Sequence, residues 1–156
     1  MTIAGRLHSY LTDNHIQYEL CPHPYSHSSA ETARLAHVPM DRLAKSVVLE
    51  DEEGYVIAVV PANCRVHLGA IRRLLHRDLH LASEADLTRL FDDCTPGAVP
   101  PVGRAYGLPT IMEESLTEWP EVYFEAGDHA ALVHLSPDQF VSVMQGAVRT
   151  HFTSAH

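Results

Sequence analysis

Two short apolar runs around an acidic turn limit the fold more than anything else in the chain. Residues 45–50 and 55–60 flank Asp51-Glu52-Glu53-Gly54. Polar turn residues between two such runs predict a hairpin. Both runs are nearly continuous in hydrophobicity, whereas a strand with one face in water alternates. The hairpin is therefore expected at the centre of a sheet covered on both faces.

The elements around it mix helices with strands. Ile3, Leu7, Tyr10 and Leu11 form a helical stripe over about residues 2–14. Residues 16–20 form a short strand candidate, broken by Cys21-Pro22-His23-Pro24. Ser28 with Glu31 reads as a capping box for a helix running to about Ala36, a region that Pro39 ends. Leu68, Ile71, Leu74 and Leu75 make a second stripe. Ser83 with Asp86, then Leu87, Leu90 and Phe91, make a third. Residues 95–109 hold three glycines and four prolines and are expected to be loop. Residues 121–125 and 131–135 read as strands about Gly127-Asp128-His129. Ser136, Pro137 and Gln139 open a last helix, and the tail after Arg149 is expected to fray. The class is α/β, in the mixed α+β sense: a central mixed sheet flanked by helices. Residues 1–156 are expected to form one domain, a length sufficient for a core.

Composition narrows the function. The net charge is −9, from 20 acidic and 11 basic side chains. That balance argues against a general nucleic-acid coat protein, while leaving room for a local basic patch. Nothing predicts a membrane span, a signal peptide or DNA binding. Cys21, Cys64 and Cys94 lie far apart with no CxxC pair, which suggests reduced thiols and a cytoplasmic location. His23 and His27 are four apart, but Pro22 and Pro24 disfavour a helix there. No HExxH or HxH occurs, so no metal and no cofactor are expected.

Four features could carry chemistry. Ten of the 11 basic residues are arginine, and the one lysine is Lys45, at the start of the first hairpin run. Lysine is a compact point charge that arginine does not replace. Lys45 is either a donor to a carbonyl or phosphate oxygen at a cleft rim or a solvated strand-edge lysine. The loop Thr95-Pro96-Gly97-Ala98-Val99-Pro100-Pro101-Val102-Gly103 combines close backbone approach with rigidity. Its amides can bind an oxyanion, although an ordinary connection has the same composition. His129 sits in a turn, facing either a cleft or solvent. Arg65, Arg72, Arg73 and Arg77, with His67, His76 and His80, form the one dense basic segment. On a 68–77 helix Arg73 and Arg77 share a face, which either steers an RNA backbone or is simply solvated. Cys94 near Gly97 reads as a structural thiol rather than a nucleophile.

In this order the segments resemble the YbaK/prolyl-tRNA synthetase editing-domain family over roughly residues 15–145. The matching pieces are His23, then Ser28-Ser29-Ala30-Glu31-Thr32-Ala33, then Leu43-Ala44-Lys45-Ser46-Val47-Val48-Leu49 and Val59-Val60-Pro61-Ala62. Leu81-Ala82-Ser83, the GxxxP segment at 97–101 and Val122-Tyr123-Phe124-Glu125-Ala126-Gly127 follow. The resemblance implies a free-standing deacylase, working without metal, that clears a small amino acid such as alanine or cysteine from a non-cognate tRNA, tRNA-Pro foremost. It implies aminoacyl-tRNA as partner and leaves room for a synthetase that delivers it. Lys45 matches the family's signature lysine, and Gly97 lies in the loop that contacts the aminoacyl group. His129 falls near a pocket histidine of some members. Ser46, Ala98, Val99, Pro100 and Pro101 are the expected substrate-binding residues, and Arg72, Arg73 and Arg77 the expected tRNA contacts. The chain departs from the pattern at Cys94-Thr95-Pro96-Gly97, where members often have Thr-Gly. It also carries Ser46 where some alanyl-specific members have asparagine. Both positions bear on which amino acid is edited.

The expected mechanism is attack by water aided by the substrate's own ribose hydroxyl. Lys45 holds a phosphate or carbonyl oxygen, and the 97–101 amides steady the oxyanion. Two other readings stay open: a tRNA- or protein-binding module without catalysis, and a deacylase of small aminoacyl esters without tRNA.

Overall fold

The computed structural model describes residues 3–155. The expected hairpin is its centre: β2 (Leu43–Asp51) pairs antiparallel with β3 (Gly54–Pro61) over eight register positions. The Asp51 carboxylate closes the turn by accepting from the amides of Glu53 (2.8 Å) and Gly54 (3.2 Å). Gly54, at φ +133°, supplies a backbone conformation that other residues resist.

Around this hairpin lie β1 (Glu19–Pro22), β5 (His80–Leu81), β6 (Thr110–Glu113), β7 (Val122–Glu125), β8 (Ala131–Leu135) and β9 (Val148–Thr150). The order is β1-β8-β7-β2-β3-β6-β9, with β5 added to β2. The β2–β7, β3–β6 and β6–β9 pairs are parallel and the others antiparallel, so the sheet is mixed. A separate ribbon joins β4 (Cys64–Val66) to β10 (Thr153–Ala155).

Both faces of β3 are buried, and its residues alternate between two cores. Ile57 and Val59 join the larger one with Ala44, Val48, Phe124, Val133 and Phe140. Val56, Ala58 and Val60 join the second with Leu49, Ile71, Leu79 and Phe152. Continuous hydrophobicity thus arises because two faces each need every second residue. Helix α1 (Gly5–Asp13) covers the larger core with Leu7 and Leu11, and α5 (Pro137–Val143) covers it with Phe140 and Val143. Helix α4 (Glu84–Leu90) borders that core through Leu87 and Leu90. Helix α3 (Leu68–Leu75) covers the second core, and α2 (Ser29–Ala36) covers a third, smaller patch with Ala33, Leu43, Ala62 and Leu132. The caps fall where the sequence puts them. Ser28, Ser83 and Ser136 accept from the amides of Glu31, Asp86 and Gln139.

Three expectations change. Residue 2, the first of the expected N-terminal helix, lies outside the described residues, and the helix starts at Gly5. The first strand is 19–22 rather than 16–20. It runs through Cys21-Pro22 because β1 is an edge strand, where a proline without an N–H is tolerated. The tail after Arg149 is not frayed. Phe152 is buried in the second core, and Glu113 accepts from the Phe152 amide (3.0 Å), Thr153 Oγ1 (2.8 Å) and His151 Nδ1 (2.6 Å). Among the described residues no helix is long and apolar enough to cross a membrane.

Candidate functional site

The parallel strands β2 and β7 pair only at Leu43–Tyr123 and Ala44–Phe124. Beyond that point β7 ends at Glu125 while β2 continues to Asp51. The sheet therefore splits where β7 ends, alongside the first residues of β2, and β5 takes β2 up again only at Leu49 and Glu50. Lys45 and Ser46 are the first β2 residues past the split.

The 95–101 loop crosses this opening and is pinned at three places. The Thr95 amide donates to the Gly127 carbonyl (2.7 Å), Ser46 Oγ donates to the Val99 carbonyl (3.0 Å), and His129 Nε2 donates to the Pro96 carbonyl (2.7 Å). Gly97, at φ +84°, turns the chain directly beneath the His129 ring. A Cβ there would sit 3.1 Å from Nε2. Ala98, Pro100 and Pro101 are buried and serve as the loop's footing, while Gly97 is exposed. The Ala98 amide is consumed by the Thr95 carbonyl (3.0 Å), so it is not an oxyanion donor. The Gly97 and Val99 amides donate to no acceptor among the described residues.

His129 is not a solvated turn histidine: it is 3% exposed. Because Nε2 donates, Nδ1 carries the lone pair, and that atom has no partner among the described residues.

Lys45 is the third residue of its strand rather than the first, and successive side chains alternate. Ser46 therefore shares a face with Ala44 and Val48 of the larger core and meets the loop there. Lys45 emerges on the opposite face, between Leu43 and Val47, opposite Val60. Lys45 and the loop border the split from opposite faces. Burial lowers the Lys45 pKa, and nearby Cys64 pulls it back up. Among the described residues no carboxylate pairs with this ammonium, although the chain carries 20 acidic side chains.

The basic segment is less available than expected. Helix α3 ends at Leu75, and His76 turns the chain in the left-handed conformation, so Arg73 and Arg77 share no helix face. Arg77 forms a two-pronged pair with Asp51 (2.6 and 2.8 Å), which holds that carboxyl down at about 2. Arg72 Nε donates to the Leu79 carbonyl (2.9 Å). Arg73 alone of the three is exposed and unpaired among the described residues. Burial drives the Cys94 thiol up to about 12, which opposes a nucleophilic role. No three His, Cys, Asp or Glu side chains converge on a point among the described residues.

Reasoning from sequence alone missed the polar cluster behind the split. Glu125 and His23 are each 7% exposed, with Glu125 Oε1 3.8 Å from His23 Nε2. His23 Nδ1 donates to the Pro24 carbonyl (2.8 Å), leaving Nε2 a lone pair without a donor. The Thr32 hydroxyl, paired with Ser26, approaches the Glu125 carboxyl without completing a hydrogen bond. Burial raises Glu125 to about 7; Thr32 opposes the rise, and Asp128 adds to it. The available signal was one acidic residue inside the apolar run Val122-Tyr123-Phe124-Glu125-Ala126.

Comparison with known proteins bears on the fold and the family. A candidate trans-editing enzyme for prolyl tRNA synthetase superposes with a TM-score of 0.83 at 26% identity, over 97% of both chains. A scaffold chain from work on epitope backbone grafting gives 0.84 at 26% identity, again over 97% of both. A protein described as hypothetical gives 0.84 at 22% identity, over 96% of this chain and 99% of that one, and speaks to the fold alone. No curated protein matches the chain in sequence. Residues 23–143 match the aminoacyl-tRNA editing domain, a stretch that contains the split, the pinned loop, Lys45 and His129. With the match spanning most of the chain and all of the site, this protein belongs to the aminoacyl-tRNA editing domain family.

Proposed function

We propose that the chain is a trans-acting hydrolase that deacylates mischarged aminoacyl-tRNA. Its substrate is a small amino acid, alanine or cysteine, on a non-cognate tRNA, with tRNA-Pro the first choice, and a synthetase is the natural source of that tRNA. The observation that carries the reading is Lys45: a half-buried ammonium beside an opening in the sheet, without a carboxylate partner among the described residues. A desolvated cation left unpaired in an acidic protein is costly. It is suited to an oxygen of the substrate, either the terminal phosphate or the ester carbonyl.

Water attacks the ester carbonyl, helped by the substrate's ribose hydroxyl, and the carbonyl oxygen becomes an oxyanion. The Gly97 and Val99 amides are the donors for it, in a loop pinned by Ser46 and His129. The C–O bond to the ribose then breaks, the ribose oxygen takes a proton, and free amino acid and tRNA leave. Val99, half-buried, is the side chain of this stretch that meets the substrate and excludes larger groups, while the buried Ala98, Pro100 and Pro101 fix its position from behind. Of Arg72, Arg73 and Arg77, Arg73 is the one free to meet the RNA backbone.

A panel of mischarged tRNAs tests the reading. Lys45→Ala is expected to slow deacylation by about 10²–10³-fold, as for removal of one oxyanion donor. Unchanged rates would remove Lys45 from the mechanism. Binding without turnover would make the chain a binding module, and turnover of simple esters alone would make tRNA irrelevant.

A further inference from the structure

We propose that Tyr25 is the stacking platform for the terminal adenine of the tRNA, seated at the rim of the site. The proposal rests on the deacylase reading above.

Tyr25 is 55% exposed, the one aromatic among the large apolar side chains left in solvent within the described residues. It is held there by its neighbours. His23 and Ser26 on either side are buried. The His23 amide donates to the Ala130 carbonyl (2.9 Å), the Ser26 amide to the His129 carbonyl (3.3 Å), and Ser26 Oγ pairs with Thr32. Pro24 fixes the backbone between them. An exposed aromatic on a pinned loop has little conformational freedom left for binding to remove.

Its surroundings point to a base. The His129 ring meets Tyr25 edge-on, with centroids 5.7 Å apart and planes at 67°. The His27 ring does so from another side, at 5.2 Å and 77°. Neither ring stacks parallel on Tyr25, and with the residue 55% exposed a flat π-system has area on which to stack. The Tyr25 hydroxyl makes no hydrogen bond among the described residues, so the side chain is not explained by a polar anchor.

Position selects which base. The same His129 that supports Tyr25 holds the Pro96 carbonyl, one residue before Gly97. In an aminoacyl-tRNA the group joined directly to the ester is the terminal adenosine, so its base is the nearest aromatic part of the substrate to that loop. Stacking carries little sequence information, which suits a contact to the end that every tRNA shares.

The test compares wild type, Tyr25→Ala and Tyr25→Phe on three substrates bearing the same amino acid: mischarged tRNA, aminoacyl-adenosine and the aminoacyl methyl ester. Tyr25→Ala is expected to raise KM for the two adenosine-bearing substrates relative to the methyl ester by about 5- to 100-fold, with kcat changing far less. Tyr25→Phe keeps the ring and is expected to behave as wild type. An unaltered preference, or an equal loss on all three substrates, overturns the proposal.

The trinucleotide CCA supplies a readout independent of turnover. Titrated by NMR, it is expected to shift the His27 and His129 ring resonances in wild type and not in Tyr25→Ala. Identical shifts in both proteins overturn the stacking role. Wild type that hydrolyses none of the substrates overturns the deacylase reading instead, and the CCA titration still decides the fate of Tyr25.

Discussion

Replacing Glu125 with glutamine should make the protein more stable at neutral pH, and by an amount that depends on pH. Glu125 is 7% exposed, and neither carboxyl oxygen accepts a hydrogen bond among the described residues. Burial, reinforced by Asp128 and opposed by Thr32, raises its pKa from 4.5 to about 7. Below pH 4.5 the group is protonated in both folded and unfolded chains and costs nothing. Between 4.5 and about 7 the unfolded chain ionises while the folded one keeps its proton, so stability falls as pH rises. At 1.36 kcal/mol per pKa unit, the full penalty approaches about 3 kcal/mol above pH 7. The glutamine side chain has the same shape, carries no proton to lose, and its amide can donate to the unpartnered His23 Nε2 lone pair. The assay is urea denaturation of Glu125→Gln and wild type at half-unit steps from pH 4.5 to 8. The stability difference between the two should grow by about 3 kcal/mol across that range and then level off. Titrations of groups remote from Glu125 cancel in the difference, while His23 and Asp128, which face it, remain part of the measured change. A difference that stays flat with pH would refute the assignment of a raised pKa to this carboxyl.

Two further substitutions probe the loop and the tail. Gly97→Ala forces a side chain into a left-handed conformation, at about 1–2 kcal/mol, and pushes against His129 Nε2 at 3.1 Å. Deacylation should fall by about 10²-fold, as for a misplaced reacting group, with a loss of stability confined to that strain. Wild-type kinetics would show that the loop position does not matter. Phe152→Ala should cost about 3–5 kcal/mol by urea denaturation, as for other buried aromatics. A loss below about 1 kcal/mol would return the tail to the frayed state expected from sequence.

Much of the fold was written locally. The 45–60 hairpin, the serine caps and β8 follow from period, turn chemistry and capping, each a matter of a few adjacent residues. The misjudged parts depend on distant partners. Arg149 to Ala155 is polar and short, and its order comes from Glu113 and from β4, 38 to 91 positions away in sequence. Helix α3 ends at Leu75 with His76 in the left-handed conformation, and Arg77 beyond it pairs with Asp51 on the hairpin turn, 26 residues distant. The site divides the same way. Lys45 and Gly97 were marked by rarity and by loop composition. The face each occupies required the β2 register, and the Glu125–His23 cluster required the pairing of β7 with β8. His129 read as a turn residue because only the folded chain brings the Pro96 carbonyl beneath it.

The strand order also sets a timetable for synthesis on the ribosome. β1 ends at Pro22 and has one partner, β8, which ends at Leu135. β9 completes the other margin, and β10 closes the separate ribbon with β4, both within residues 148–155. The hairpin can form as soon as it emerges, yet its flanking strands come late, and β1 waits for more than a hundred residues of chain. Such long-range closure slows folding and leaves apolar surface open meanwhile. Between the synthesis of β3 and that of β6 the hairpin has no further strand of the main sheet but β5 to pair with, and the split between β2 and β7 takes shape only after β7 has left the tunnel.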